Sequence, residues 1–409
     1  MKKLYKLSTN ARKEIIAQNY EGLPGIELLL SNKFIESEIG EALIENFIGY
    51  YQLPMGIVTG MPLDGKLVNT FLAVEESSVI AALNNSSKLF RNSGSIETFI
   101  HQSVLVGQIA YNNTELQNNE LLNHEKEIFN FLEREFSSYF NRGGQLFSIE
   151  KIKTENFTTY HIKINPLEAM GANLITQMCE RVSVLLEAEF EFPKPLMCIL
   201  SNSSPKPSVT VKAKLKCDET LGRRIAQASL LSAEQPMRAS THNKGIVNAI
   251  DPLLIVTGND WRANNALLHS YASKDGQYCP LSKWVYKNGF LTGEMSIPLQ
   301  LGIVGGATKV HPFAKLSLKL MEVETKDDLQ RIIAVSGLLQ NFSALRALVS
   351  EGIIAGHMKM HVDNISGELT KDPSIHKELV SLLQQRLERN KKISLSDGKE
   401  LLKDLIFKA

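Results

Sequence analysis

The stretch 238–262 reads RASTHNKGIVNAIDPLLIVTGNDWR and holds two groups able to act together. Lys244 stands in the polar tetrad Thr241-His242-Asn243-Lys244, and Asp260 stands in the abrupt stop Gly258-Asn259-Asp260. Between them, after a small-residue turn, runs Pro252-Leu253-Leu254-Ile255-Val256, which reads as a short buried strand. Buried strands deliver side chains into clefts at their ends, so Lys244 and Asp260 are expected to meet in one site. An ammonium and a carboxylate sharing a cleft can hold or tune charge on a substrate. On residue types alone, a surface lysine and a turn aspartate is the plainer account.

Three further places carry chemistry-bearing residues. Glu168-Ala169-Met170-Gly171-Ala172-Asn173 leads directly into a helical pattern, and exposed amides at a helix start attract phosphate. It is not GxGxxG, so the usual dinucleotide fingerprint is absent. Residues 302–308, GIVGGAT, form a second glycine-rich loop able to pass under a ligand or to make a tight connection. His357 lies in Gly356-His357-Met358, and a histidine can exchange a proton near neutral pH. His357 and His361 have the i, i+4 spacing of helical metal ligands, but no HExxH or carboxylate set completes a zinc site, so no metal is expected.

The elements that must position these groups follow from patterning. Residues 1–45 look helical and polar, broken at Leu23-Pro24-Gly25, with Ser37 as a possible cap for the next helix. Two strand-like runs, 53–58 and 67–74, flank Asp64-Gly65, a strong hairpin turn. A helix spans about 77–92, capped by Ser77 or Ser78 and ended by Gly94. From about 102 the pattern changes: a helix at 125–140, alternating strands within 148–164, a helix at 171–189 and a strand at 209–215. Helices are expected at 263–272, 313–321 and 326–351, the last long and amphipathic. Beyond Gly352 come polar helices at 374–389 and 395–407, with few apolar anchors and hence an expectation of mobility.

Composition sets outer limits. The 409 residues exceed one typical core, so two or three domains are expected. Lys plus Arg is 45 and Asp plus Glu is 44, a net charge of +1 that supplies no general attraction to nucleic acid or an anionic membrane. The basic start has no signal-peptide core, and no run approaches the ~20 apolar residues that cross a bilayer. The four cysteines are scattered without a CxxC pair, which suits a reducing, cytoplasmic setting.

The ordered motifs ENFIG (45–49), AVEESSV (73–79), EAMGAN (168–173), RASTHNKGIVNAID (238–251), GNDWRA (258–263), DGQY (275–278), GIVGGATKVHP (302–312) and GHMKMHVDNI (356–365) together resemble class II, soluble bacterial and archaeal type, 3-hydroxy-3-methylglutaryl-coenzyme A (HMG-CoA) reductase. The resemblance runs from about Ile44 to Ile365. It implies two successive hydride transfers interconverting HMG-CoA and mevalonate plus coenzyme A, with NADPH or NADH and no metal. It implies a catalytic set of Glu76, Lys244, Asp260 and His357. Lys244 would hold the oxyanion, Glu76 would donate a proton to that oxygen, Asp260 would keep the pair in register, and His357 would protonate the leaving thiolate. Ser78, Arg238 and Asn248 match substrate positions, and Glu168, Met170, Gly171 and Asn173 match the cofactor turn. Arg142, Lys151 and Lys153 are the basic residues a 2′-phosphate would use, although charges beside loops are commonly just solvated.

The implied fold is mixed α/β, of α+β type. A large substrate-binding and dimerisation domain (1–101 and 208–351) is built around the helix at about 77–92. A small ferredoxin-like cofactor domain (102–207) is inserted in it, and a helical C-terminal flap (352–409) follows. A homodimer or higher homo-oligomer with interfacial active sites is expected. Glu168 stands where relatives usually carry Asp, and Ser77 where they carry Pro. Two alternatives stay open: the same enzyme run as NAD-dependent mevalonate oxidation in catabolism, or a non-catalytic coenzyme A- or nucleotide-binding paralogue.

Overall fold

A computed structural model describes residues 4–31, 35–116, 119–204, 206–350, 362, 365–390 and 393–408. Its strands are β1 (Met55–Leu63), β2 (Lys66–Ala73), β3 (Gly94–Ile100), β4 (Leu105–Asn112), β5 (Leu146–Lys153), β6 (Phe157–Ile164), β7 (Met197–Ser201), β8 (Val209–Lys216), β9 (Ser282–Lys287) and β10 (Phe290–Ile297). Helices α1 (Thr9–Asn19), α2 (Glu27–Leu30) and α3 (Ser37–Leu43) precede them, and α4 (Ser77–Ser93) follows the first hairpin. Next come α5 (Asn113–Leu116), α6 (Glu125–Glu135), α7 (Ser137–Phe140) and α8 (Ala172–Phe190). Then follow α9 (Glu219–Glu234), α10 (Pro236–Val256), α11 (Trp261–Ala272), α12 (Gly306–Val310), α13 (Pro312–Leu320) and α14 (Lys326–Val349). Two more helices, Pro373–Asn390 and Leu395–Lys408, complete the described chain.

The Asp64-Gly65 turn joins β1 to β2 with both residues at positive φ, 48° and 80°, as the twist of a two-residue hairpin requires. A four-stranded antiparallel sheet, order β3-β8-β10-β9, carries the first large buried cluster on one face, together with α4, α9, α10 and α14. The chain leaves this sheet after β3 and re-enters it at β8, adjacent strands paired from Gly94↔Leu215 to Ile100↔Val209. The intervening segment is β-α-β-β-α-β with antiparallel order β5-β6-β4-β7. That order, with α6 and α8 as crossovers, is the ferredoxin-like split βαβ arrangement expected. It has its own core, including Leu105, Ile109, Tyr160, Ile162, Met178 and Val182. A third small cluster, Val362, Ile365, Leu379, Leu383 and Ile393, ties the C-terminal helices together.

Several expectations are corrected. Residues 252–256 are not a strand but the last turns of α10, a single helix with Pro236 at its start and Pro252 inside it. Leu253, Leu254 and Val256 are buried, and so is the proline, so the run lacks the polar face that marks a surface helix. α14 is not amphipathic: its buried residues include Gln330, Ser336, Gln340 and Asn341 as well as the aliphatic set. By length and composition it could cross a membrane, but 67% of its apolar window is packed inside the molecule. α14 thus runs through the centre of the large unit, with α4 packed on it. Neither Ser77 nor Ser78 caps α4; the N-cap is Glu76, in extended backbone, without a side-chain cap bond. Glu36, not Ser37, occupies the N-cap of α3.

Candidate active site

α10 begins with proline at N1, where the missing N–H is no loss, and crosses α14 at close range. The close range depends on glycine: a Cβ at Gly337 would lie 3.1 Å from Ile246 and 3.2 Å from Ile250. His242 pins the same helix from within. Its ring lies 3.2 Å from Ser232 Oγ on α9 and 2.7 Å from Ser282 Oγ on β9. Ser282 in turn donates to Asn341 of α14, which also accepts the Trp284 indole N–H. Burial, with Arg238 nearby, pushes His242 down to about 4, so the imidazole is neutral near pH 7.

This packing turns Lys244 outward. Its Nζ lies 3.7 Å from Glu76 Oε2, and Ser78 donates from Oγ to the other oxygen, Glu76 Oε1. Glu76 thus bridges a hydroxyl and an ammonium at the N-terminus of α4, where the helix dipole favours a carboxylate. Asn248 follows Lys244 by four residues, on the same helix face. Pro252 has no N–H to give to the Asn248 carbonyl, so that acceptor is released from the helix ladder. Asp251, three residues further along this face, is a carboxylate not singled out from the sequence. Asn265 donates to both its oxygens at 2.9 and 3.0 Å, and burial raises its pKa. Its i, i+7 spacing from Lys244 was the available signal, hidden while 252–256 read as a strand. Arg238 lies at the start of α10 with Nη1 buried and unpaired, and burial lowers its pKa.

Asp260 does not join Lys244 within one chain. It caps α11, accepting from Ala263 N–H at 3.0 Å, and pairs with Arg262 at 3.3 Å. At 1.5 Å per residue, the helix alone places Val256 about 18 Å beyond Lys244. Asp260 instead neighbours the glycine-rich loops. Asn259, its buried neighbour, accepts Gly302 N–H at 2.8 Å, and Ile303 N–H donates to the Glu168 carbonyl at 3.0 Å. Gly258 is at φ +70°, where a Cβ would meet Thr308 N at 3.0 Å. The sequence offered only the glycines of 302–308 as a sign that this loop abuts the 168–173 turn.

That turn fits an anionic cofactor. Gly171, at φ +84°, is the N-cap of the nineteen-residue α8 and supplies no side-chain cap. No acidic residue occupies the first helical turn, and Asn173 there is exposed. The first amides of α8 are therefore available to a phosphate. Lys151 is already paired with Glu120. His357 and His361 lie outside the described residues.

A family model described as hydroxymethylglutaryl-coenzyme A reductase matches residues 8–362. The 3-hydroxy-3-methylglutaryl-coenzyme A reductase of Archaeoglobus fulgidus is 36% identical over 98% of this chain and 93% of its own length. The probable reductase of Borreliella burgdorferi is 33% identical over 88% and 86%. A solved 3-hydroxy-3-methylglutaryl-coenzyme A reductase of Streptococcus pneumoniae superposes with a TM-score of 0.79 at 32% identity, covering 99% of each chain. A class II structure from the same organism, bound to NADPH in open conformations, has a TM-score of 0.78 at 32% identity and covers 85% of this chain and 99% of its own. Together with the mixed α/β fold, these matches show that the chain belongs to the hydroxymethylglutaryl-coenzyme A reductase family.

Proposed function

We propose that the Glu76–Lys244 pair is the reacting centre of this reductase and that NADPH is its reductant. The observation that carries the proposal is Lys244 Nζ held 3.7 Å from Glu76 Oε2, with Ser78 engaging the second oxygen. The reaction adds hydride to the thioester carbonyl of HMG-CoA and again to the resulting aldehyde, giving mevalonate and coenzyme A. Each addition places negative charge on one oxygen. Lys244 stabilises that charge, and Glu76, paired with Lys244 and hydrogen-bonded to Ser78, delivers from its protonated form the proton that ends the second step. Asn248 and Ser78 border the same space and orient the carbonyl. Arg238, with a buried unpaired N–H, takes the substrate carboxylate. The nicotinamide cofactor supplies the hydride when bound. Gly171, Met170, Asn173 and the open amides of α8 hold its phosphates. His357 serves as acid for the departing thiolate.

A second copy of the chain completes the site in this proposal. Lys244 and Glu76 are 64% and 38% exposed in one chain, and charge stabilisation of this kind works in a water-excluded cleft. Ile44, Ile48 and Tyr51, in and beside ENFIG, are 58%, 101% and 88% exposed, which supports an interface there. Asp260, which lies beyond the end of α10 and caps α11 in its own chain, reaches the reacting pair from the partner. The four cysteines are free thiols, which favours a cytoplasmic setting.

The test follows absorbance of reduced nicotinamide with HMG-CoA, once with NADPH and once with NADH. Lys244→Ala should lower kcat by about 10²–10³. An exposed pair contributes at most about 1 kcal/mol to stability, so the variant stays folded. Turnover near that of the unaltered protein in Lys244→Ala overturns the assignment, and stronger activity with NADH overturns the cofactor choice.

A further inference from the structure

The turn before α8 is held from outside by one side chain. Glu168 Oε2 accepts the backbone N–H of Lys326, the first residue of α14, at 2.6 Å. The Glu168 carbonyl accepts Ile303 N–H at 3.0 Å, and Gly302 lies so close that a Cβ there would meet Met170 N at 2.6 Å. The turn is therefore clamped between residues 302–303 and the start of α14.

The first N–H groups of a helix have no partner inside it. At α14 a capping box satisfies two amides: Thr325 Oγ1 accepts from Asp328 N–H, and the Asp328 carboxylate accepts from Thr325 N–H. Lys326 N–H is outside that box, and Glu168 takes it. The carboxylate also meets the positive end of the α14 dipole. Turned the other way, toward the open amides of α8, it would repel a phosphate. The location matters as well. The Lys326 side chain is buried beside Ser103, Ser204 and Ser208, on the two segments that connect the ferredoxin-like unit to the large one.

We propose that Glu168 is a positioning residue: by accepting the first N–H of α14 it fixes the cofactor-side turn on the large unit and so sets cofactor affinity without touching the cofactor. This rests on 168–173 being the cofactor turn. An aspartate, shorter by one carbon–carbon bond of roughly 1.5 Å, would not reach Lys326 N–H unless the turn moved.

The donor can be deleted alone. Lys326 is at N1, where proline is favoured, and Thr325 at φ −125°, ψ 158° already has the backbone that a following proline needs. Lys326→Ala removes the side chain and keeps the N–H; Lys326→Pro removes both. Relative to Lys326→Ala, Lys326→Pro should raise Kd and KM for NADPH about tenfold, the loss of one charge-assisted hydrogen bond. KM for HMG-CoA should change by less than about twofold, because Lys326 adjoins no group assigned to that substrate. Glu168→Asp should raise the NADPH values similarly, and adding Lys326→Pro to it should change nothing further. Equal NADPH affinity in the two Lys326 variants, or effects that multiply, overturns the proposal. If Lys326→Pro does not fold, amide hydrogen exchange over 324–330 decides between the unaltered protein and Glu168→Asp. Faster exchange in the variant supports the latch, and equal exchange overturns it. That measurement uses no cofactor. A chain binding neither NADPH nor NADH would therefore sink the functional proposal, while the latch would stand or fall on exchange alone.

Discussion

His242 and Lys244 sit two residues apart on α10 and face opposite environments. Lys244 meets Glu76 in the open, so the pair adds little to stability. His242 is 1% exposed and linked to α9, β9 and, through Ser282, to Asn341 of α14. With a folded pKa of about 4 against an ordinary 6.5, the folded protein refuses a proton that the unfolded chain accepts. The stability this represents is complete above pH 6.5 and is lost as pH falls toward 4. Between pH 7 and pH 5 the loss should be about 2 kcal/mol. Urea unfolding of the unaltered protein and of His242→Gln at both pH values checks this. The variant starts less stable, and its pH-dependence should be shallower by that amount. Equal dependence in both proteins would mean that His242 is not the titrating group.

At the level of elements, the site depends on how closely α10 can approach α14. Gly337 sets that distance against Ile246 and Ile250, each two residues beyond Lys244 and Asn248 and so on the opposite side of α10. Gly337→Leu should destabilise the protein by about 1–3 kcal/mol through overpacking. It should also lower kcat, because α10 must shift and carry Lys244 away from Glu76. A thermal melt read beside the assay separates the two effects. Full activity in a destabilised variant would show that α10 does not move. Much of this scaffold was legible. Asp64-Gly65 announced its hairpin, and the small unit's alternation over 157–164 matches β6, whose Tyr160, Ile162 and Ile164 are buried. What misled was the missing polar face: within 252–256 even the exposed residue, Ile255, is apolar. Residues 252–256 and α14 have no polar face, so periodicity could not separate a strand from a helix or mark a central helix. β9 and β10 were missed because their outward residues, Lys283, Val285, Thr292 and Glu294, mix polar and apolar types. At the site, the structure brings together Glu76, Ser78 and Lys244, three residues that the sequence motifs single out. The Glu76–Lys244 ion pair, the buried His242 network and the Glu168–Lys326 bond depend on tertiary contacts that no local pattern encodes.

For the whole molecule the decisive fact is the length of α10. One continuous helix carries Lys244 near its middle and runs three turns further before Asp260 caps α11, with Asp260 following the buried Asn259 that holds the 302–303 loop, which in turn bonds the 168–173 turn of its own chain. A site that uses both residues needs two chains, and a two-fold axis then makes two equivalent composite sites. Lys244→Ala and Asp260→Ala subunits provide the test. Each alone should be nearly inactive. After mixing, unfolding and refolding together, half of the dimers should be mixed. In each of those, one site pairs an intact Lys244 with an intact Asp260, and the other lacks both. Activity should therefore recover to about a quarter of that of the unaltered protein. If both residues act within one chain, every site in every dimer retains one lesion and mixing restores nothing. Sedimentation of the refolded mixture confirms that dimers formed, so an inactive mixture of proven heterodimers would refute the shared site and leave the Lys244–Glu76 pair to be completed from its own chain.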